Sequence, residues 1–164
     1  GSIEVESRIG HGSSFSITWP AESRRIQSPR RQPGEQAETG GSGGIILLAE
    51  DEPLVRKIMA ETLFDAGYEV VEACDGDEGK RLALESTDYA AACIDGVMPG
   101  ASSAEVIDCF QQAHPGRPVL LCSGYMPTEL ANRGLLKDGV TLLAKPFPPS
   151  RLQQELKTVI EQSA

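Results

Sequence analysis

Zinc sites and disulfide frameworks need closely spaced cysteine and histidine, and this sequence has little of either. Its 164 residues include four cysteines, none in a CxxC pair, and two histidines, His11 and His114, far apart in the chain. This composition argues against a zinc site. Cys93 and Cys122 fall inside apolar runs, so we expect small core residues with reduced thiols, in a cytoplasmic protein.

Long apolar runs and an excess of basic residues are also absent. No run approaches the ~20 apolar residues of a membrane span, and no signal-peptide pattern opens the chain. Lys and Arg total 15 against 24 Asp and Glu, for a net charge of −9, and residues 45–164 carry that whole excess. We expect no nucleic-acid partner and no direct membrane contact. An acidic domain suits a divalent cation, although a solvated acidic surface is the commoner explanation.

The first 22 residues alternate with the period of a β-strand. Apolar residues at every second position flank the turn residues Gly10-His11-Gly12, which predicts a β-hairpin. A lone hairpin is only marginally stable in water, and the face with Phe15, Ile17 and Trp19 needs a cover. We therefore expect residues 1–22 to be the edge of a larger domain that lies upstream.

Residues 23–44 have the composition of a linker. They hold one large aliphatic residue, Ile26, together with five glycines and two prolines. Such a segment cannot bury enough apolar surface to offset the entropy of ordering it. We expect a flexible coil here, followed by a separate domain over residues 45–164.

From residue 45 onward, short apolar runs alternate with helical patterns. Five strands and five helices in alternation predict an α/β fold with a doubly wound, five-stranded parallel sheet. About 120 residues are enough for one modest hydrophobic core. The expected strands are 45–49, 68–72, 90–94, 119–122 and 140–144, and the expected helices begin near Pro53, Asp75, Ser102 or Ser103, Pro127, and Pro149 or Ser150.

Polar side chains directly follow four of these strands. Glu50 and Asp51 follow the first strand, Asp95 the third, Ser123 the fourth and Lys145 the fifth. The carboxyl ends of parallel strands meet at one edge of the sheet, where open α/β sheets form their sites. The sequence therefore predicts a cleft that contains three carboxylates, a hydroxyl and an ammonium group.

These residues and their neighbours resemble the motifs of the response-regulator receiver domain. The spacings between Asp51, Asp95, Ser123 and Lys145 are 44, 28 and 22 residues. The resemblance covers 45–162 and implies a flavodoxin-like sheet of strand order 2-1-3-4-5 with transient phosphorylation of Asp95. The matching segments are Leu48-Ala49-Glu50-Asp51-Glu52, Ile94-Asp95-Gly96-Val97-Met98-Pro99, Leu121-Cys122-Ser123-Gly124 and Lys145-Pro146-Phe147.

Three carboxylates in one cleft repel each other, and a divalent cation relieves that repulsion. Hard oxygen ligands favour Mg²⁺. We expect Asp51 and Asp95 to bind it directly, Glu50 to bind it through water, and the carbonyl of Val97 to contribute. Asp95 can then act as the nucleophile towards a phosphoryl donor.

The two remaining polar residues of the cleft suit the transferring phosphoryl group. We expect the Ser123 hydroxyl and the Lys145 ammonium to contact its oxygens, because phosphoryl transfer depends mainly on positioning and on neutralising charge there. Pro146 is expected to fix the loop after Lys145 through a turn or a cis bond.

Residues 1–22 carry a second, less specific resemblance. The segments Ser2-Ile3-Glu4-Val5-Glu6-Ser7, Gly10-His11-Gly12-Ser13-Ser14-Phe15 and Trp19-Pro20 are similar to the last strands of a histidine-kinase ATP-binding domain. The order of kinase end, linker and receiver resembles a hybrid sensor histidine kinase. This implies that the parent chain is a kinase and that the present chain accepts a phosphoryl group without kinase activity. It also implies a phosphohistidine donor on a histidine kinase or a histidine phosphotransfer domain, in cis or in trans.

Two positions depart from the receiver pattern. Ser102-Ser103 stand where that family often has an acid and a glycine, and Leu142 stands at the usual aromatic switch position. A phosphorylation readout through an aromatic flip is therefore not expected in its usual form.

Two other functions compete with phosphoryl acceptance. One is a receiver fold used only for docking, which would regulate a kinase without being phosphorylated; the complete set of acids, serine and lysine argues against it. The other is a phosphatase or a flavin carrier on a similar sheet. Two observations argue against this alternative. Gly96-Val97 follow Asp95, so there is no DxD motif, and no glycine-rich phosphate loop follows the first strand.

Overall fold

The computed structural model describes residues 1–18, 43–85 and 87–163. The chain divides into two units, residues 1–37 and 38–164. Most of the predicted linker lies outside the described residues. Its last residue, Gly44, accepts a hydrogen bond at its carbonyl from the backbone N–H of Glu69 at 3.1 Å. The predicted domain boundaries stay a prediction.

The first unit contains the predicted hairpin. Its strands are β1 (Ser2–Arg8) and β2 (Gly12–Thr18), paired antiparallel. Ile3 lies opposite Ile17 and Val5 opposite Phe15, so these four side chains share one face of the hairpin. All four are exposed, while Trp19 lies outside the described residues. The hairpin itself is confirmed, and its origin in a larger domain stays a prediction.

The second unit is a parallel sheet between two layers of helices. The sheet order is β4-β3-β5-β6-β7, which is 2-1-3-4-5 when its strands are numbered along the chain. This confirms the predicted α/β fold and strand order. The elements are β3 (Ile45–Ala49), α1 (Pro53–Asp65), β4 (Glu69–Ala73), α2 (Gly76–Ala83), β5 (Tyr89–Asp95), α3 (Ser103–Ala113), β6 (Val119–Ser123), α4 (Pro127–Asn132), β7 (Val140–Ala144) and α5 (Pro149–Ser163).

The sheet is buried on both faces, as parallel sheets are. Alternate residues of β3 separate into two apolar clusters: Leu47 and Ala49 pack with α2, α3 and α4, and Ile46 and Leu48 pack with α1 and α5. None of the helices in the described part of the chain is long and apolar enough to cross a membrane.

The α1 helix begins at Pro53. The turn that ends this helix delays the start of the next strand. Gly67 has φ of +91°, and the backbone N–H groups of Gly67 and Tyr68 donate to the carbonyls of Phe64 and Leu63. This pattern is a Schellman motif. Because Tyr68 belongs to the motif, β4 begins at Glu69, one residue later than predicted.

From sequence, Leu54, Ile58, Leu63 and Phe64 fall on one helical stripe, which predicts the buried face of α1, but that stripe does not coincide with the face that is buried. Leu63 of that stripe is buried, but Leu54, Ile58 and Phe64 are exposed. The buried face also includes Met59 and Thr62. Apolar residues cover more than one side of this helix, so their period alone did not identify the side that packs on the sheet.

Candidate functional site

The structure brings the predicted polar residues to the carboxyl edge of the sheet. Asp95 and Ser123 are the last residues of β5 and β6, and Glu50 and Lys145 come directly after β3 and β7. One carboxylate oxygen from each of Glu50, Asp51 and Asp95 lies within 4.8 Å of the other two. The edge therefore carries a three-carboxylate cluster, as the sequence predicted.

Lys145 joins two of these carboxylates. Its Nζ lies 2.7 Å from Oε2 of Glu50 and 2.8 Å from Oδ1 of Asp95. Glu50 is 2 % exposed, whereas the Lys145 side chain is 26 % exposed. One ammonium group thus offsets part of the repulsion among three carboxylates, and a net negative charge remains.

Burial and pairing act against each other on the ionisation of this cluster. Burial raises the pKa of Glu50, and the hydrogen bond from Lys145 opposes that rise only in part. Burial would lower the pKa of Lys145, but its hydrogen bonds to Asp95 and Glu50 outweigh burial and raise the pKa. Lys145 is therefore a cation at neutral pH.

Ser123 places its hydroxyl beside the end of β5. It is 1 % exposed, and its Oγ accepts a hydrogen bond from the backbone N–H of Tyr125 at 3.2 Å. A Cβ added to Gly96 would lie 2.6 Å from that Oγ. A side chain at position 96 would therefore displace the Ser123 hydroxyl from its place beside the backbone that follows Asp95. The sequence pattern did not indicate this role of Gly96.

The loop after β7 contains a cis peptide bond between Lys145 and Pro146, which is one of the two alternatives expected from the sequence. The backbone N–H of Lys145 donates to the carbonyl of Ser123 at 2.8 Å. Lys145 therefore follows directly on the β6–β7 pairing, which brings its side chain to the cleft.

The donor atoms of the cluster suit a hard cation. Glu50, Asp51 and Asp95 offer carboxylate oxygens at close range, and oxygen is the ligand atom that Mg²⁺ prefers. Val97, two residues after Asp95, is 44 % exposed, and the role of its carbonyl stays a prediction.

Sequence reasoning missed two residues that hold the site from outside. Nη1 of Arg56 donates to the backbone carbonyl of Glu50 at 2.7 Å. Oγ of Ser103 donates to the backbone carbonyl of Asp95 at 2.7 Å. The nearness of Arg56 to the acid pair in sequence, five residues after Asp51, was the available signal for the first of them.

The two serines that depart from the receiver pattern therefore have distinct structural roles. Ser102 caps α3 and forms a capping box with Glu105, a local motif that starts a helix. Ser103 is buried and bonds to the backbone of Asp95.

The cysteines and histidines take no part in the cleft. Cys93 and Cys122 are fully buried, which confirms their prediction as core residues. Burial raises the pKa of Cys93 well above its usual range and that of Cys122 to about 12. His11 is exposed, and His114 ends α3.

Comparison with known proteins agrees with this fold. A family model described as the response regulator receiver domain matches residues 46–157. The receiver domain from hybrid histidine kinase CckA has a similar structure, with a TM-score of 0.61 at 32% identity, over 71% of this chain and 99% of that one.

Two relatives in sequence are longer proteins. The transcriptional regulatory protein YrkP of Bacillus subtilis is 32% identical over 65% of this chain and 45% of its own length. The transcriptional regulatory protein CusR of Escherichia coli is 27% identical over 73% of this chain and 52% of its own length. The chain thus spans about half the length of these relatives. On the family match, which covers more than half of its residues, this chain belongs to the response regulator receiver domain family.

Proposed function

We propose that residues 45–162 accept a phosphoryl group on Asp95 in a two-component phosphorelay. The observation that carries the proposal is the bridge from Lys145 Nζ to the carboxylates of Asp95 and Glu50, at 2.8 and 2.7 Å. A structural ion pair needs one partner, whereas this ammonium group lies between two acids beside a third. The ammonium group therefore stands beside Asp95, where it can pair with phosphoryl oxygens once a bound cation offsets the remaining negative charge.

Mg²⁺ is the cation we propose for the cluster, with Asp51 and Asp95 as direct ligands, Glu50 bound through water, and the carbonyl of Val97 as a further ligand. When bound, it supplies positive charge that screens Asp95 and neutralises the phosphoryl oxygens. The donor set supports this assignment, since the three side chains offer closely spaced oxygens.

The residues of the chain perform the transfer by position and charge. An Asp95 carboxylate oxygen attacks phosphorus, the bond from phosphorus to the donor imidazole nitrogen breaks, and the electron pair of that bond stays on the nitrogen, which takes a proton from solvent water. Lys145 already donates a hydrogen bond to Asp95 and can donate to the phosphoryl oxygens once they lie beside that carboxylate. The Ser123 Oγ accepts from the Tyr125 N–H, which leaves its own hydroxyl proton to donate to another of them.

For the donor, we propose a phosphohistidine on a histidine kinase or a histidine phosphotransfer domain. The similarity to the receiver of a hybrid histidine kinase and the hairpin in residues 2–18 support an origin at the C-terminal end of a hybrid kinase. The longer relatives of this chain, YrkP and CusR, are named as transcriptional regulatory proteins and fit a stand-alone regulator instead. Cytoplasmic location follows from either origin and stays a prediction.

A docking module without phosphorylation is the second candidate. The departure at Leu142, which is half-buried, favours it, because the usual aromatic readout is missing. Both candidates share the fold, so only chemistry at Asp95 separates them.

Intact-mass analysis after incubation with acetyl phosphate and Mg²⁺ tests the proposal. We expect one added phosphoryl group in the wild type and none in Asp95→Asn. Asp88→Asn is the matched control, because Asp88 is exposed, precedes β5 at the opposite edge of the sheet and should not affect labelling. An unmodified wild type, or equal labelling of Asp95→Asn, would refute phosphoryl acceptance at this residue and favour the docking module.

A further inference from the structure

The segment between β5 and α3 passes over the first turn of α2. The backbone N–H of Gly76 donates to the carbonyl of Pro99 at 2.9 Å. The backbone N–H of Ala101 donates to Oδ1 of Asp77 at 3.1 Å. Two consecutive residues of α2 therefore hold the far end of this segment, residues 96–102, which we call the acceptor loop.

The contact between α2 and the acceptor loop is closer than side chains at two positions would permit. A Cβ on Gly76 would lie 1.7 Å from the carbonyl oxygen of Ala101, and one on Gly100 would lie 2.6 Å from Oδ2 of Asp77. Gly100 also has φ of +80°, a conformation that favours glycine. The loop thus packs backbone against backbone on α2, with the Asp77 carboxylate in contact with Gly100.

The near end of the acceptor loop is fixed as well. Ser103 Oγ bonds to the carbonyl of Asp95, and the backbone N–H of Gly96 bonds to the carbonyl of Cys122 at 2.9 Å. Val97 lies between the anchored ends. The position of its carbonyl therefore depends on whether both ends hold.

We propose that Asp77 is a positioning residue for the metal site: by holding the acceptor loop through Ala101, it places the carbonyl of Val97 for the cation. Mg²⁺ demands near-ideal ligand geometry, so a loop that samples several positions binds it more weakly. The inference rests on the proposed function, because it takes Mg²⁺ to bind at the carboxylate cluster.

Asp77 also has two simpler effects that a test must separate from this one. It is an acid in the first turn of α2, where negative charge stabilises a helix, and its charge attracts any nearby cation. Neither effect needs the hydrogen bond to Ala101. Asn at position 77 keeps an acceptor oxygen but loses the charge, whereas Ala loses both.

The experiment is Mg²⁺ titration of the full chain by calorimetry. We expect Asp77→Ala to weaken binding about 3- to 10-fold, the effect of one lost hydrogen bond, and Asp77→Asn to stay within about 2-fold of wild type by the same relation. The matched control is Asp88→Ala, which removes an exposed aspartate with a 2.9 Å bond to Arg117 and should leave the affinity unchanged.

Two further measurements distinguish positioning from a general structural effect. In metal-free protein, amide hydrogen exchange at Ala101 should be faster in Asp77→Ala than in Asp77→Asn or wild type. At saturating Mg²⁺, Asp77→Ala should take up the phosphoryl group at the wild-type rate. The substitution then raises only the Mg²⁺ concentration that half-maximal uptake requires.

Wild-type affinity in Asp77→Ala, or equal weakening in both Asp77 variants, would overturn the inference while the proposed function stands. A wild type that binds no Mg²⁺ would overturn the proposed function and this inference together. The Ala101 exchange rates in metal-free protein would still show whether Asp77 holds the loop.

Discussion

The carboxylate cluster predicts that removing one of its charges stabilises the metal-free protein. In Asp51→Asn, an amide of nearly the same shape replaces one of three carboxylates whose oxygens lie within 4.8 Å of one another. We expect a higher melting temperature in the presence of a chelator. The substitution should also remove most of the stabilisation that Mg²⁺ gives.

The magnitude follows from Coulomb's law. At a separation of 4.8 Å, two like charges repel by about 0.9 kcal/mol at the dielectric constant of water and by about 3.5 kcal/mol at an effective value of about 20. Asp51 is exposed, so the lower figure applies to its repulsion by each of Glu50 and Asp95. Lys145 offsets part of the sum. We expect a net gain of about 1 kcal/mol in the free energy of unfolding, or roughly 3–6 °C for a domain of this size.

Mg²⁺ should reverse this ranking. At about 100 times its dissociation constant, a ligand adds roughly 2.7 kcal/mol to the stability of the wild type, which exceeds the gain from the substitution. Thermal unfolding with and without Mg²⁺ measures both effects. Glu52→Gln is the matched control, since Glu52 is the next residue, is exposed and lies outside the group of three carboxylates.

Two results would contradict this reasoning. A melting temperature of Asp51→Asn at or below that of the wild type in chelator would mean that the carboxylates do not repel each other appreciably. An equal shift on adding Mg²⁺ in the wild type and the variant would mean that the cation binds elsewhere.

Four further predictions concern other parts of the chain. Lys145→Ala should slow phosphoryl uptake roughly 100-fold with Mg²⁺ affinity retained, and a loss of that affinity instead would reassign the residue. Because the folded-state pKa of Glu50 is raised, the folded protein binds more protons, and metal-free stability should fall as pH rises above about 4.3; Glu50→Gln should remove this part of the slope. Cys122, whose pKa is raised to about 12, should resist iodoacetamide at pH 8 in native protein while exposed Cys74 reacts, as peptide mapping can show; alkylation of native Cys122 would contradict its burial. Deleting residues 1–42 should leave Mg²⁺ binding and phosphoryl uptake nearly unchanged, and unfolding of the truncated chain would place part of the receiver upstream of residue 43.

The local pattern of the sequence accounts for much of the site. Strand ends are marked by a change from apolar to polar residues, so Asp95 and Lys145 could be placed at one sheet edge before any contact was known. The start of α3 could be narrowed to Ser102 or Ser103, and the capping box that makes Ser102 the cap joins residues only three apart. Such features need only near neighbours in the chain.

The alternation of strands and helices, and the residue types that follow the strands at the carboxyl edge of the sheet, can be read from the sequence. The buried face of α1, the bridge from Lys145 to Glu50 and Asp95, and the bond from Asp77 to Ala101 appear only in the folded chain. These features depend on contacts between distant residues: the Lys145–Glu50 bond joins residues 95 positions apart and the Asp77–Ala101 bond residues 24 apart. No local period specifies such pairs, because their distances are set by how the layers pack.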